Sequence, residues 1–241
     1  MRYILFLLTA IALPMSASAN DQETCGDSAQ LKLQDVIVSS GVWNRDVIKD
    51  GNQCITSTPG WNWDWPSNEQ TLNRCEHVVS YPSIIYGRRP WDSNSTTPEL
   101  PRQISNIKNM LIDVEVETKA EGKYNTAFDI WIVKGQSSSL MTTELMIWLN
   151  HEGVEPADWG LVVVDDAIYE LWTQRINTWH YVGLAFKAPV QKARIPLGDI
   201  LRDLEKRGLV NASDWVADIE FGNEVMCGKG QTVIKNFRVE P

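Results

Sequence analysis

Over much of the chain, apolar and polar residues alternate with a period of two, and turn-forming residues interrupt the alternation every few positions. Successive side chains of a strand point to opposite faces, so this period predicts β-strands with one buried face. The clearest case is residues 143–149. Thr143, Leu145, Ile147 and Leu149 share a face that can enter a core, and Glu144, Met146 and Trp148 share the other. Residues 124–133 repeat the arrangement: Phe128, Ile130 and Ile132 on the core-type face, Asp129, Trp131 and Val133 opposite. The Gly- and Ser-rich connection at 135–139 lets the two strands lie antiparallel, with Asp129 and Glu144 side by side on one face.

Further strands are predicted at 33–39, 77–86, 112–117, 179–187, 215–225 and 232–239, with a hairpin of 161–164 and 167–172 turning at Asp165 and Asp166. In the strand at 179–187, His180, Val182, Leu184 and Phe186 fall on one face. In 215–225, Glu220, Gly222 and Glu224 share a face, and Gly222 would leave room for a ligand to approach the backbone. One helix is predicted, at 197–207, with Ile200, Leu201 and Leu204 as its apolar stripe and Gly208 as its stop. Many short strands with frequent turns describe an all-β sandwich.

The first nineteen residues pattern as an export signal: Arg2, an apolar run at 4–13 too short to span a bilayer, and Ala17-Ser18-Ala19 before the expected mature start at Asn20. No other run is long enough to cross a membrane, so no membrane partner is expected, and one domain over 20–241 is. All four cysteines, Cys25, Cys54, Cys75 and Cys227, lie beyond the cleavage site. An even number in an exported chain predicts disulfides in one of three connectivities. Neither the cysteines nor His77, His151 and His180 have metal-ligand spacing. The net charge of −9 argues against a nucleic-acid partner and disfavours acidic polysaccharides, leaving neutral glycans allowed.

Eleven tryptophans are many for a chain of this length; they either fill the core or, because an indole stacks well on the apolar face of a sugar ring, in part line a cleft. Trp61, Trp63 and Trp65 recur at spacing two. They either form an exposed binding surface or point inward and leave Asn62 and Asp64 wet. Cleavage of a glycosidic bond requires two carboxyl groups flanking it, one to protonate the leaving oxygen and one to attack the sugar or activate water. Glu144 and Glu224 are candidates for that pair. The alternative is a non-catalytic β-sandwich that holds glycans through its tryptophans.

The string Glu144-Leu145-Met146-Ile147-Trp148-Leu149 closely resembles the nucleophile strand of glycoside hydrolase family 12, secreted endo-β-1,4-glucanases and xyloglucanases. Phe128-Asp129-Ile130-Trp131, Phe221-Gly222-Asn223-Glu224 and Trp61 to Trp65 match further family segments in the same order, as do Cys25 and Cys54. The resemblance implies a compact jelly roll of two antiparallel sheets with a concave substrate cleft and one packed helix. It implies Glu144 as nucleophile, Glu224 as acid/base and Asp129 as the residue that orients Glu144, by a hydrogen bond that shares a proton with it. It implies retention of configuration, no metal and no cofactor. The partner is then a β-1,4-glucan, met by a monomer. Trp43, Trp61, Trp65, Trp131, Met146, Trp148 and Glu220 are the expected substrate contacts, with Trp43 stacking on a glucose unit. The family pairing implies a Cys25–Cys54 disulfide, which leaves Cys75 with Cys227. Two stretches depart from the family pattern: Ser40-Gly41 ahead of Trp43, and Val225-Met226-Cys227 after Glu224.

Overall fold

The computed structural model describes residues 22–66, 75–155, 160–164 and 167–241. The expected export signal and the turn at Asp165 and Asp166 lie outside these residues. In chain order the strands are β1 (Glu23–Cys25), β2 (Gln30–Leu33), β3 (Val36–Ser39), β4 (Asn52–Thr56), β5 (Gly60–Trp65), β6 (Ser83–Gly87), β7 (Arg102–Gln103) and β8 (Leu111–Val133). There follow β9 (Met141–Glu152), β10 (Leu161–Val164), β11 (Ala167–Ile176), β12 (Trp179–Phe186) and β13 (Lys192–Ile195). Helix α1 (Leu197–Lys206) precedes β14 (Trp215–Val216), β15 (Asp218–Gly222) and β16 (Val225–Glu240).

The long strand β8 joins two layers. Its first half pairs with β16 and β13, and β16 continues through β5 and β4 to β1. Its second half lies between β15 and β9 in the other layer. That layer runs outward through β6, β3 and β2 on one side, and through β12, β11 and β10 on the other. The passage between layers falls at Gly122, paired with Gly228. Both have positive φ, 118° and 103°, and a Cβ on Gly122 would stand 2.4 Å from the Cys227 carbonyl oxygen. Only glycine allows the two backbones to bend past each other so closely.

Between the layers lies one apolar core. Phe128, Ile130, Ile132, Leu145, Ile147 and Leu149 enter it from the faces that alternation assigns to them. Val182 and Leu184 of β12 do the same, while His180 at the strand's start is exposed. Helix α1 buries Ile200, Leu201 and Leu204, its predicted stripe. Each large side chain so buried contributes roughly 1.5–3 kcal/mol. Cys25 bonds to Cys54, and Cys75 bonds to Cys227.

Several expectations need correction. Residues 112–117 and 124–133 belong to one strand, β8. The predicted strand at 33–39 is a hairpin, β2 and β3. Of 77–86 only the end is a ladder strand, with Ser80 making isolated bridges to Val42 and Val225. The sheets are not purely antiparallel, because β12 runs parallel to β9. The strand predicted over 215–225 breaks at Ala217 and again at Asn223 and Glu224. Gly222 does not make room for a ligand: a Cβ there would lie 2.2 Å from the Pro82 carbonyl oxygen.

Trp61, Trp63 and Trp65 point inward and are core residues, 1%, 3% and 0% exposed. Trp61 and Trp65 are therefore not substrate contacts. Three indoles on the wet face would leave a large apolar patch in water, whereas inside they fill the layer between β5 and its neighbours. Trp61→Ala should lower the unfolding free energy by about 3–5 kcal/mol in chemical denaturation. A change under about 0.5 kcal/mol, as for an exposed platform, would contradict the inward placement.

Candidate active site

On the concave face opposite the core, Asp129 and Trp131 of β8 stand beside Glu144 of β9 and Glu220 of β15. Register sets their spacing. Asp129 pairs with Glu220 on one side and Met146 on the other, and Trp131 pairs with Glu144. Asp129 and Glu144 are thus diagonal neighbours, within side-chain reach but not directly opposed. These residues, with Glu224, Tyr81, Trp43 and Trp91, line a cleft of about 500 Å³.

Glu144 is half-buried, and its Oε2 accepts a hydrogen bond from Trp179 Nε1 at 2.8 Å. Burial pushes its pKa up to about 7; the Trp179 bond opposes the rise and the Glu224 carboxyl adds to it. Asp129 is held well above its ordinary value, by burial first and then by the Glu144 and Glu220 carboxyls. Its Oδ1 has no hydrogen-bond partner. The expected direct hydrogen bond between Asp129 and Glu144 is absent among the described residues. The two interact through charge across the sheet diagonal, and Trp179 fills the oriented-donor role at Glu144.

Glu224 sits where the chain leaves β15 for β16, and the break in the ladder turns it into the cleft. Asn125, on the same face of β8 as Asp129, clamps it. Asn125 Nδ2 donates to Glu224 Oε2, its Oδ1 accepts from the Glu224 backbone N–H at 3.1 Å, and its N–H donates to the Glu224 carbonyl at 3.0 Å. Burial raises the Glu224 pKa, and the Asn125 hydrogen bond opposes it. Beneath the turn, the buried Asn223 amide accepts from Trp61 Nε1 and Thr232 Oγ1, both at 2.7 Å. It donates to the Asn125 carbonyl at 2.9 Å and Thr126 Oγ1 at 2.8 Å. Trp61 therefore serves the site from below, through the core.

The aromatic residues divide into two groups. Trp43 and Trp91 stand 56% and 58% exposed on the cleft walls. Trp91 meets Trp131 edge-on at 5.6 Å, and Trp131 meets Trp179 edge-on at 6.0 Å, so indoles run from the cleft wall to Glu144. Met146 and Trp148 share the concave face but are buried in a side cluster with Trp172 and Tyr181. Tyr181 O–H donates to Met146 Sδ at 3.2 Å, and Trp148 packs edge-on against Trp172 at 5.1 Å. They support the face and do not line the cleft, because their neighbours on β11 and β12 cover them. Glu220 lines the cleft, yet both its oxygens are engaged by Arg89 and Ser83, which makes it a poor substrate contact.

Pattern reasoning missed Asn125, Tyr81, Arg89, Trp91 and Trp179. Asn125 was recoverable, since it has the same strand parity as Asp129. Trp179 shares parity with Tyr181 on β12 and was recoverable likewise. Trp91 lies in a Ser-, Thr-, Asn- and Pro-rich loop, where no periodicity marks its direction. Among the described residues one group has metal-like clustering, Glu23 with Cys25 and Cys54, but the two sulfurs are consumed by the disulfide.

Comparison with known proteins places this geometry. Residues 34–240 match the profile of glycosyl hydrolase family 12. Endoglucanase S of Pectobacterium parmentieri is 29% identical over 250 residues, covering 97% of this chain and 90% of that protein. The family 12 xyloglucanase of Bacillus licheniformis superposes with a TM-score of 0.82 at 26% identity, over 91% of this chain and 99% of that one. Endoglucanase cel12A of Rhodothermus marinus gives 0.77 at 23% identity over 90% and 97%, a likeness that bears on fold alone. A family match spanning nearly all the described residues, on a jelly roll whose concave face gathers buried carboxyl groups and indoles, establishes that the chain belongs to glycosyl hydrolase family 12.

Proposed function

We propose that the protein is an exported, endo-acting β-1,4-glucanase that cleaves with retention, using Glu144 as nucleophile and Glu224 as acid/base. The observation that carries the reading is that both carboxyl groups open onto one cleft, each half-buried and each held by a different donor: Trp179 for Glu144, Asn125 for Glu224. An open cleft with exposed indoles on its walls suits the interior of a polymer chain, and Trp43 and Trp91 offer flat faces for its sugar rings. Export is supported by the pattern of residues 1–19 and by two disulfides.

The chemistry follows from the charge states. Glu144 attacks the anomeric carbon as a carboxylate, while protonated Glu224 gives its proton to the departing glycosidic oxygen. The sugar–oxygen bond breaks and an ester to Glu144 forms. Glu224, now ionised, takes a proton from water, whose oxygen attacks the same carbon and releases Glu144. Two inversions leave the configuration unchanged. Burial and mutual repulsion disfavour simultaneous ionisation of both groups, so the resting site favours a single charge shared between them. Trp179 directs that charge to Glu144 by donating to its carboxylate.

Glu144→Gln should reduce reducing-sugar release from cellulose, mixed-linkage glucan and xyloglucan by more than about a thousandfold with the fold intact, and Glu224→Gln by about 10²–10⁴-fold. Substantial activity in Glu144→Gln would refute the assignment. NMR of the first product from a β-linked substrate should show the β-anomer; an α-anomer appearing first would mean inversion. The pH profile follows from the raised carboxyls. The ionised Glu144 is lost as pH falls through its raised value of about 7, against a usual 4.5. The acid limb of kcat/KM should therefore lie well above the usual glutamate value, with a tenfold loss per unit below it. Full activity maintained down to that usual value would contradict the burial argument.

A further inference from the structure

Five carboxyl groups line the cleft, Asp27, Asp129, Glu144, Glu220 and Glu224, and among the described residues lining it Arg89 alone is basic; Asp27 pairs with Arg45 outside the lining. Arg89 follows β6 and forks onto Glu220. Its Nε donates to Glu220 Oε1 at 2.8 Å and its Nη2 to Oε2 at 2.6 Å, and Ser83 Oγ donates to Oε2 at 2.8 Å. The two side chains are only 11% and 2% exposed, so water and salt screen the pair little. A guanidinium stays charged, and its planar fork matches a carboxylate. The Arg89 guanidinium also lies 5.8 Å from the Trp91 ring centre, which fixes its approach from the cleft wall.

Glu220 is the β15 residue paired with Asp129, and Asp129 is the diagonal neighbour of Glu144. The groups facing Asp129 are Glu144 from β9, Glu220 and Asp218 from β15, Glu224 from the following turn, and Tyr81 ahead of β6. Tyr181 of β12 and Asp92 beyond Arg89 complete the surroundings. None of these besides Arg89 can supply positive charge.

We propose that Arg89 and Glu220 are a positioning pair: the Glu220 carboxylate held beside Asp129 disfavours charge on Asp129 and so leaves it on Glu144, while the Arg89 fork offsets the Glu220 charge and keeps it from suppressing ionisation of the whole site. Neither residue touches the reacting atoms. The inference rests on the nucleophile role proposed above for Glu144, with Asp129 as its diagonal neighbour.

The test is a mutant cycle read through the acid limb of kcat/KM. Arg89→Gln leaves Glu220 without its counter-charge, disfavours the first ionisation of the Asp129–Glu144 pair, and should move the limb up by about one pH unit. Glu220→Gln leaves Arg89 unpaired and removes the repulsion at Asp129. The limb should move down by about one unit. The plateau kcat should also fall, because Asp129 now competes for the charge. The double variant restores the net charge and should return the limb to the wild-type position. Limb shifts of equal sign in the two single variants, or no shift with only a lower melting temperature and kcat, would overturn the proposal. Should Arg89→Gln fail to fold, Arg89→Lys keeps the charge and should hold the limb while Glu220→Gln moves it; an unmoved limb in Glu220→Gln overturns the proposal equally. Wild-type enzyme without glucanase activity would instead sink the functional reading itself.

Discussion

Carboxyl groups withdrawn from water and set close together cannot all be charged, and the architecture of this molecule is built around that constraint. Asp129, Glu144, Asp218 and Glu224 are all pushed toward their protonated forms, in each case by burial first. Leaving so many acids in a fold is costly unless a reaction uses the resulting proton balance. A double displacement does use it, since it needs one acid protonated and one ionised at the same moment. Charge is drawn to Glu144 by the neutral donor Trp179, Asn125 fixes the position of Glu224, and a single guanidinium holds a third carboxyl group.

The sheet supplies the spacing. Strand alternation brings Asp129 and Glu144 to the same face, and register sets them on a diagonal. Placing Glu224 takes more. It requires a break in the ladder, and an exposed turn there would have several conformations. The Asn223 amide removes that freedom by spending all its hydrogen-bonding capacity on Trp61, Thr232, Thr126 and the Asn125 carbonyl. A core tryptophan on β5 thus stiffens a group on the other layer. The stability of the core and the geometry of the reaction are coupled through that one side chain.

Legibility in the sequence followed the physics of alternation. Where one face of a strand is buried and the other lines the cleft, as at 143–149 and 124–133, the period of two assigned faces correctly. The continuity of β8 was hidden because residues 118–123 carry no large apolar side chain on either face and contain Gly122, which signals a turn locally yet here serves a crossing between layers. The three indoles of β5 illustrate a different limit. Periodicity shows that they share a face, but apolar character fits a binding surface and a core alike, and only the partners of Trp61 and Trp65 decide. Met146 and Trp148 share the correct face but are covered by residues from β11 and β12, which no local pattern on β9 reveals. Arg89 and Trp91 depend on a loop folding back over the sheet, a tertiary event without a periodic signature.

The account turns on whether Glu144 becomes covalently attached to the sugar. A 2-deoxy-2-fluoro glucoside oligomer with a good leaving group slows both steps, the second enough for the ester to accumulate. Peptide mapping by mass spectrometry after inactivation should find one fluoro-sugar adduct, on Glu144. An adduct on Glu224, Glu220 or Asp129, or turnover without any adduct together with an inverted product, would contradict it.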